Sequence, residues 1–130
     1  MLKRMLIGLI RSQEGTSDKA KDPALKTRYF RMTQDKLWEE VVSLLKKLPK
    51  YTVLHEVKNV GEIVMSKRTM LGRTQDITVT VFAISPVQSA IEIYSASRGS
   101  LGDLGSNYRT IMELYNLLDT KLGAFRVADR

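Results

Sequence analysis

Between Tyr51 and Ser97 the chain reverses direction three times with very little between the reversals. Four runs, YTVLHEVK, EIVMSKRT, DITVTVFAI and SAIEIYSAS, are rich in β-branched residues and alternate in character, as half-buried strands do. NVGE, MLGRTQ and SPVQ join them. A parallel crossover needs about a dozen residues or more, so connections this short force hairpins and an antiparallel meander. In the third run Ile77, Val79, Val81 and Ala83 share one face, and Thr78, Thr80, Phe82 and Ile84 the other. Phe82, Ile84 and Leu54 are too apolar for a fully wetted surface. The second sheet face is therefore expected to meet the N-terminal arm, a ligand, or a partner protein that includes a second copy in a homodimer.

A helix is expected on each side of this meander. Thr33 is a good N-cap, and Asp35 in the first turn suits the helix dipole. Leu37, Val41, Leu44, Leu45 and Leu48 recur at helical spacing, Trp38 and Val42 widen the stripe, and Pro49 ends it. After the fourth strand, NYRTIMELYNLLDTKL places Ile111, Leu114, Tyr115, Leu118 and Leu122 on one stripe. The fold class is α+β: a four-stranded antiparallel meander sheet with an N-terminal and a C-terminal helix packed on one face. Trp38 should be buried against that sheet.

The chain of 130 residues fits one domain. Its net charge of +7 is unevenly placed. Residues 1–31 hold eight Lys and Arg against three acids, a net of +5, while the remaining residues hold 13 against 11. The basic character belongs to an arm and is no argument that the fold binds nucleic acid. Arm and linker are assigned to residues 1–26, and the α+β domain to residues 27–130. MLKRMLIGLIR sets Leu2, Met5, Leu6, Leu9 and Ile10 at helical spacing, which reads as a short basic amphipathic helix. Such a helix packs on its own domain or on a second copy. Otherwise residues 1–11 make a weak contact with an anionic membrane surface, because stable anchoring takes a second signal. SQEGTSDKAKDPALK reads as a polar surface linker.

Several chemistries drop out. With no cysteine in the sequence there is no disulfide, thiolate metal site or Cys nucleophile. With a single histidine, His55, a His-rich metal site is excluded and no Ser-His-acid triad can be assigned. No apolar run approaches the roughly 18 residues of a spanning helix, and the expected setting is cytoplasmic. No cofactor is implied. Sheet recognition of nucleic acid needs exposed aromatics flanked by cations, and only Tyr94 near Arg98 offers that combination.

The stretch SRGSLGDLGSNYR, Ser97 to Arg109, is the most distinctive loop. Gly99, Gly102 and Gly105 form G-x-x-G-x-x-G, neither the dinucleotide fingerprint nor the P-loop, and Asp103 would repel an anion. As a structural turn it makes sense. Glycine permits positive φ, Ser106 or Asn107 can cap the following helix, and Asp103 would face that helix's positive end. If a site exists, it should adjoin this loop and draw on Asp76, Arg98, Asp103, Gly105, Asn107 and Arg109, with one of the two arginines as a forked donor to an anionic group.

SASRGSLGDLGSNYRTI, TRYFRMTQDKLWEEV and GRTQDITVTVF are similar, in order and spacing, to the recurring blocks of an uncharacterised bacterial family, domain of unknown function 1499. The resemblance runs from about Thr27 to Leu122 and is most specific at the glycine block. The chain departs at Gly99–Ser100, where the family often carries a small aliphatic residue. The resemblance implies the same domain boundary and draws attention to Asp76, Arg98, Asp103, Gly105 and Asn107. It implies no substrate. The expected function is a non-enzymatic module binding a partner protein or a small apolar ligand. The alternative is an enzyme with an acid, amide and arginine site around residues 97–109.

Overall fold

In the computed structural model, which describes residues 13–69, 72–98 and 105–127, the hairpins form as their short connections require. β3 (Tyr51–Val57), β4 (Glu62–Arg68), β5 (Thr74–Ser85) and β6 (Gln88–Ser97) pair successively, all antiparallel. Three short strands extend this meander: β1 (Gln13–Gly15), β2 (Arg28–Phe30) and β7 (Arg126–Val127). Among the described residues the sheet therefore has seven strands rather than four, in the order β3-β4-β5-β6-β2-β7, with β1 also paired to β6. Strands of two or three residues carry no alternation to read, so their pairing is set by the long neighbour that offers its edge. β1 lies within the segment read as a surface linker. The Thr16 amide donates to the Ile93 carbonyl at 2.9 Å, and the Thr16 hydroxyl accepts from the Ile93 amide at 2.8 Å. Asp22 caps a 3-10 turn at Pro23–Leu25, and Leu25 is buried.

The helices are α1 (Gln34–Lys46) and α2 (Ser106–Leu122). Thr33 caps α1 as expected, its hydroxyl accepting from the Lys36 amide at 3.2 Å. Leu37, Trp38, Val41 and Leu45 of α1, and Ile111, Leu114, Tyr115, Leu118 and Leu122 of α2, are buried in one cluster. The sheet side of that cluster is Ile63, Met65, Ile77, Val79, Val81, Ile91 and Ile93. The register sets Ile63, Val79 and Ile93 side by side, so both helices cover the same face. No helix among the described residues is long and apolar enough to cross a membrane.

Two irregularities change which residues face which way. The register of β3 shifts between Val53 and His55, which turns Glu56 toward Ile63 and His55 toward Val64. One extra residue exchanges the faces, so simple alternation fails beyond Val53. Glu56 then reaches Lys46 of α1 at 2.7 Å. A second shift follows Ala83, before Ser85, and Ala83 at this end of the strand is exposed rather than in the core.

The second sheet face is more polar than Phe82, Ile84 and Leu54 imply. Its cross-strand rows read Ser66–Asp76–Ala96, Val64–Thr78–Tyr94 and Glu62–Thr80–Glu92. Phe82 aligns with Ala90 and, through it, with the buried Tyr29 of β2, so its apolar neighbours come from a strand too short to read. The expected amphipathic helix at residues 1–11 lies outside the described residues.

Candidate functional site

The first residues of β5 and the last of β6 meet beneath the start of α2, where Gln75 pairs with Ser97 and Asp76 with Ala96. Because neighbours in a strand point to opposite faces, Gln75 and Asp76 enter different environments. Gln75 is fully buried under α2, while the Asp76 side chain is 45% exposed on the second face.

On the core side, Gly105 turns the chain into α2 with φ of 81°, the left-handed conformation that side chains resist. Gly105 itself stands at the N-cap, so the cap position falls to neither Ser106 nor Asn107. The expectation that Ser106 or Asn107 would cap α2 is therefore corrected. One residue further round the turn, Asn107 points into the sheet. Its Oδ1 accepts from the Ser95 hydroxyl at 2.6 Å, and its Nδ2 donates to the Ser97 hydroxyl at 2.9 Å. Beside it, Gln75 donates through Nε2 to the Ser106 hydroxyl at 3.0 Å and accepts from the Thr110 hydroxyl at 2.6 Å.

The network continues along α2. Lys67 donates to Thr110 and to the Tyr51 hydroxyl, each at 3.4 Å, and lies 3.8 Å from Glu113. The Tyr51 hydroxyl donates to Glu113 at 2.6 Å. Burial, and then the Glu113 carboxylate beside it, push the Tyr51 phenol far above its ordinary pKa, so it stays a neutral donor. The first two turns of α2 are thus clamped to β3, β4, β5 and β6 by polar groups whose bonds close on one another. Such a network orders a helix start and makes its placement unique.

On the opposite face Arg98 grips Asp76 with both arms of its guanidinium, Nε to Oδ2 at 3.0 Å and Nη2 to Oδ1 at 2.8 Å. Those bonds hold the Asp76 carboxyl below its ordinary pKa and raise that of Arg98. A carboxylate so held is a poor proton donor or acceptor near neutral pH.

The residues singled out in the sequence therefore separate. Asp76 and Arg98 meet on the second face, and Gly105 and Asn107 on the core side. Arg109 is exposed on α2, and Asp103 lies outside the described residues. Gln75, Ser95, Thr110, Tyr51, Lys67 and Glu113 were missed. For three of them a signal existed: Gln75, Ser95 and Thr110 are polar residues at inward positions of otherwise apolar stripes. His55 is exposed on β3, remote in register from this network, and among the described residues no three His, Cys, Asp or Glu cluster as metal ligands.

A second feature follows the outer flank of α2. Tyr108, Arg109, Met112, Glu113, Asn116, Leu117 and Thr120 line a mainly apolar groove of about 500 Å³ that is open to solvent.

One-sided helix packing on an antiparallel sheet, with a polar clamp under a glycine turn, defines a two-layer α+β domain. The chain belongs to the family described as protein of unknown function (DUF1499), whose model matches residues 10–118. No curated protein matches the sequence.

Proposed function

We propose that the protein is a non-enzymatic binding module that takes a partner protein on the second sheet face, at its β3 edge. One observation carries the reading. Leu54, Val57 and Val60 are 44%, 43% and 59% exposed, all within one short stretch at the open end of the strand order. Apolar exposure gathered in one place at a strand edge is the usual mark of a protein contact. The reading gains support from the polar residues. Asp76 is spent on Arg98, Asn107 on two serines, and Gln75 on Ser106 and Thr110. An enzyme built around residues 97–109 would have to free these groups before using them. The same reading sets the protein in the bacterial cytoplasm, on the resemblance of its sequence blocks and on a sequence without cysteine.

Native mass spectrometry of the purified chain tests it. The expected result is a dimer or a complex with another polypeptide, lost in Val57→Glu while the thermal midpoint stays near that of the parent protein. A monomer with a bound small molecule, whose ligand-induced midpoint shift disappears in Arg98→Ala, would replace this reading with a ligand or enzyme site at the glycine loop.

A further inference from the structure

We infer that the corner of the second sheet face where β4 ends and β5 begins binds a phosphate group, held between Arg68 and Arg98. The register comes first. Arg68 of β4 pairs with Thr74 of β5, and the Arg98 amide, just past the end of β6, donates to the Thr74 carbonyl at 2.9 Å. The cross-strand row therefore reads Arg68–Thr74–Arg98. It lies two residues along from the row Ser66–Asp76–Ala96, and so on the same face. The two arginines stand two strand spacings apart, about 10 Å, with a hydroxyl between them. Ser66 and Ala96 keep the neighbouring row low, so the gap between the arginine arms is open to a tetrahedral anion.

The donors suit it. Asp76 takes Nε and Nη2 of Arg98 and leaves Nη1 outside that pair, so the carboxylate orients the guanidinium without using it up. Arg68 is exposed, and among the described residues its side chain makes no hydrogen bond or ion pair. Its Nη2 lies 3.9 Å from the place a Cβ would take on Gly72, so the guanidinium rests against the turn between β4 and β5. Arginine forks of this kind bind phosphate through paired, charge-assisted bonds.

Charge agrees. Arg73 donates through Nη2 to the Arg98 carbonyl at 3.1 Å, which brings a third guanidinium to the same corner. Three arginines against the Asp76 carboxylate leave an excess of two positive charges among the described residues. A phosphate monoester carries about −1.5 to −2 at neutral pH and matches that excess, whereas a carboxylate would fill one fork and leave the other. The site shares a sheet face with the partner contact at the β3 edge but does not rest on it. Phosphate bound by a chain that also forms a complex leaves both standing.

Titration of the full chain with phenyl phosphate at constant ionic strength, followed by amide proton–nitrogen spectra, tests the site. The expected result is saturable shifts centred on Thr74 and Arg98, with dimethyl phosphate, a monoanion, binding at least about tenfold more weakly. Arg68→Gln should weaken phenyl phosphate about tenfold and leave the unbound spectrum close to that of the parent protein, because Arg68 supports nothing else in the fold. Arg31→Gln removes the same charge from an exposed position at the other end of β2 and should leave the affinity unchanged. Shifts that do not saturate, or equal losses in Arg68→Gln and Arg31→Gln, would overturn the proposal by reducing it to general attraction between charges. Co-sedimentation with phosphatidylcholine vesicles carrying phosphatidic acid, lost in Arg68→Gln, would assign the phosphate to a lipid headgroup. Phenyl phosphate binding without co-sedimentation would assign it to a soluble monoester.

Discussion

Gln75 and Asp76 are neighbours in β5 and make opposite investments. Gln75 is buried and binds Ser106 and Thr110 through a neutral amide. Asp76 is half in water and binds Arg98 through two charge-assisted bonds. On charge alone Asp76 makes the stronger pair. Environment reverses the ranking. Water screens the exposed ion pair and leaves it little net contribution. The buried amide has no solvent to fall back on, so losing a partner there costs the full desolvation of whatever is left behind. In this fold the neutral, unremarked residues beneath the glycine turn carry the stability, and the charged pair that stands out in the sequence carries little.

The buried side of that contrast gives the largest effect. Asn107→Leu keeps the volume but strands the Ser95 and Ser97 hydroxyls, and should lower stability by about 3 kcal/mol in denaturant unfolding. A loss no greater than that of an exposed α2 substitution would show that the clamp is dispensable. Gly105→Ala follows, at about 1–2 kcal/mol for a side chain held at positive φ. The same melts should show intact secondary structure, since only the turn is strained.

Much of this contrast was legible in advance, and the part that was not has a physical cause. The four long strands, both helices, the Thr33 cap, the buried Trp38 and the strained turn at Gly105 all follow from local pattern. Arg98 and Asn107 flank the glycine loop in the chain, and Asp76 starts the strand whose hairpin partner leads into it, which makes them look like one site. The pleat sends Asp76 to the outer face, and the helical turn sends Asn107 inward.

Tyr51→Phe tests the far end of the clamp and should cost about 1 kcal/mol at neutral pH, the worth of one hydrogen bond to Glu113. The pH dependence is sharper. Because the folded pKa is raised, the stabilisation is complete below the ordinary tyrosine value of 10.0 and is lost as pH climbs from there toward the folded value. The parent protein should therefore lose stability above that pH more steeply than Tyr51→Phe. Parallel alkaline unfolding curves would remove Tyr51 from the network.

The smallest effect belongs to the exposed pair. Asp76→Asn should change stability by less than about 0.5 kcal/mol, most of the pair's attraction being screened. Its folded pKa is lowered, so whatever it adds is present above the ordinary value of 3.8 and fades as pH falls through the lower folded value. A loss at neutral pH comparable with that of Asn107→Leu would break the comparison between the two faces.

By itself the sequence determined the class of fold. Periodicity sets helix against strand, and short connections force antiparallel hairpins, both through interactions local enough to read along the chain. Tertiary structure alone decided three things: the added strands β1, β2 and β7, the exchange of faces at the β3 bulge, and the division of the glycine-loop residues between core and solvent. The first needs a neighbouring strand to supply hydrogen-bond partners. The second needs a register that one extra residue can shift. The third needs a helix to land on one face of the sheet and exclude water there while the other face stays wet, and that is a property of the packed molecule, which no run of residues contains.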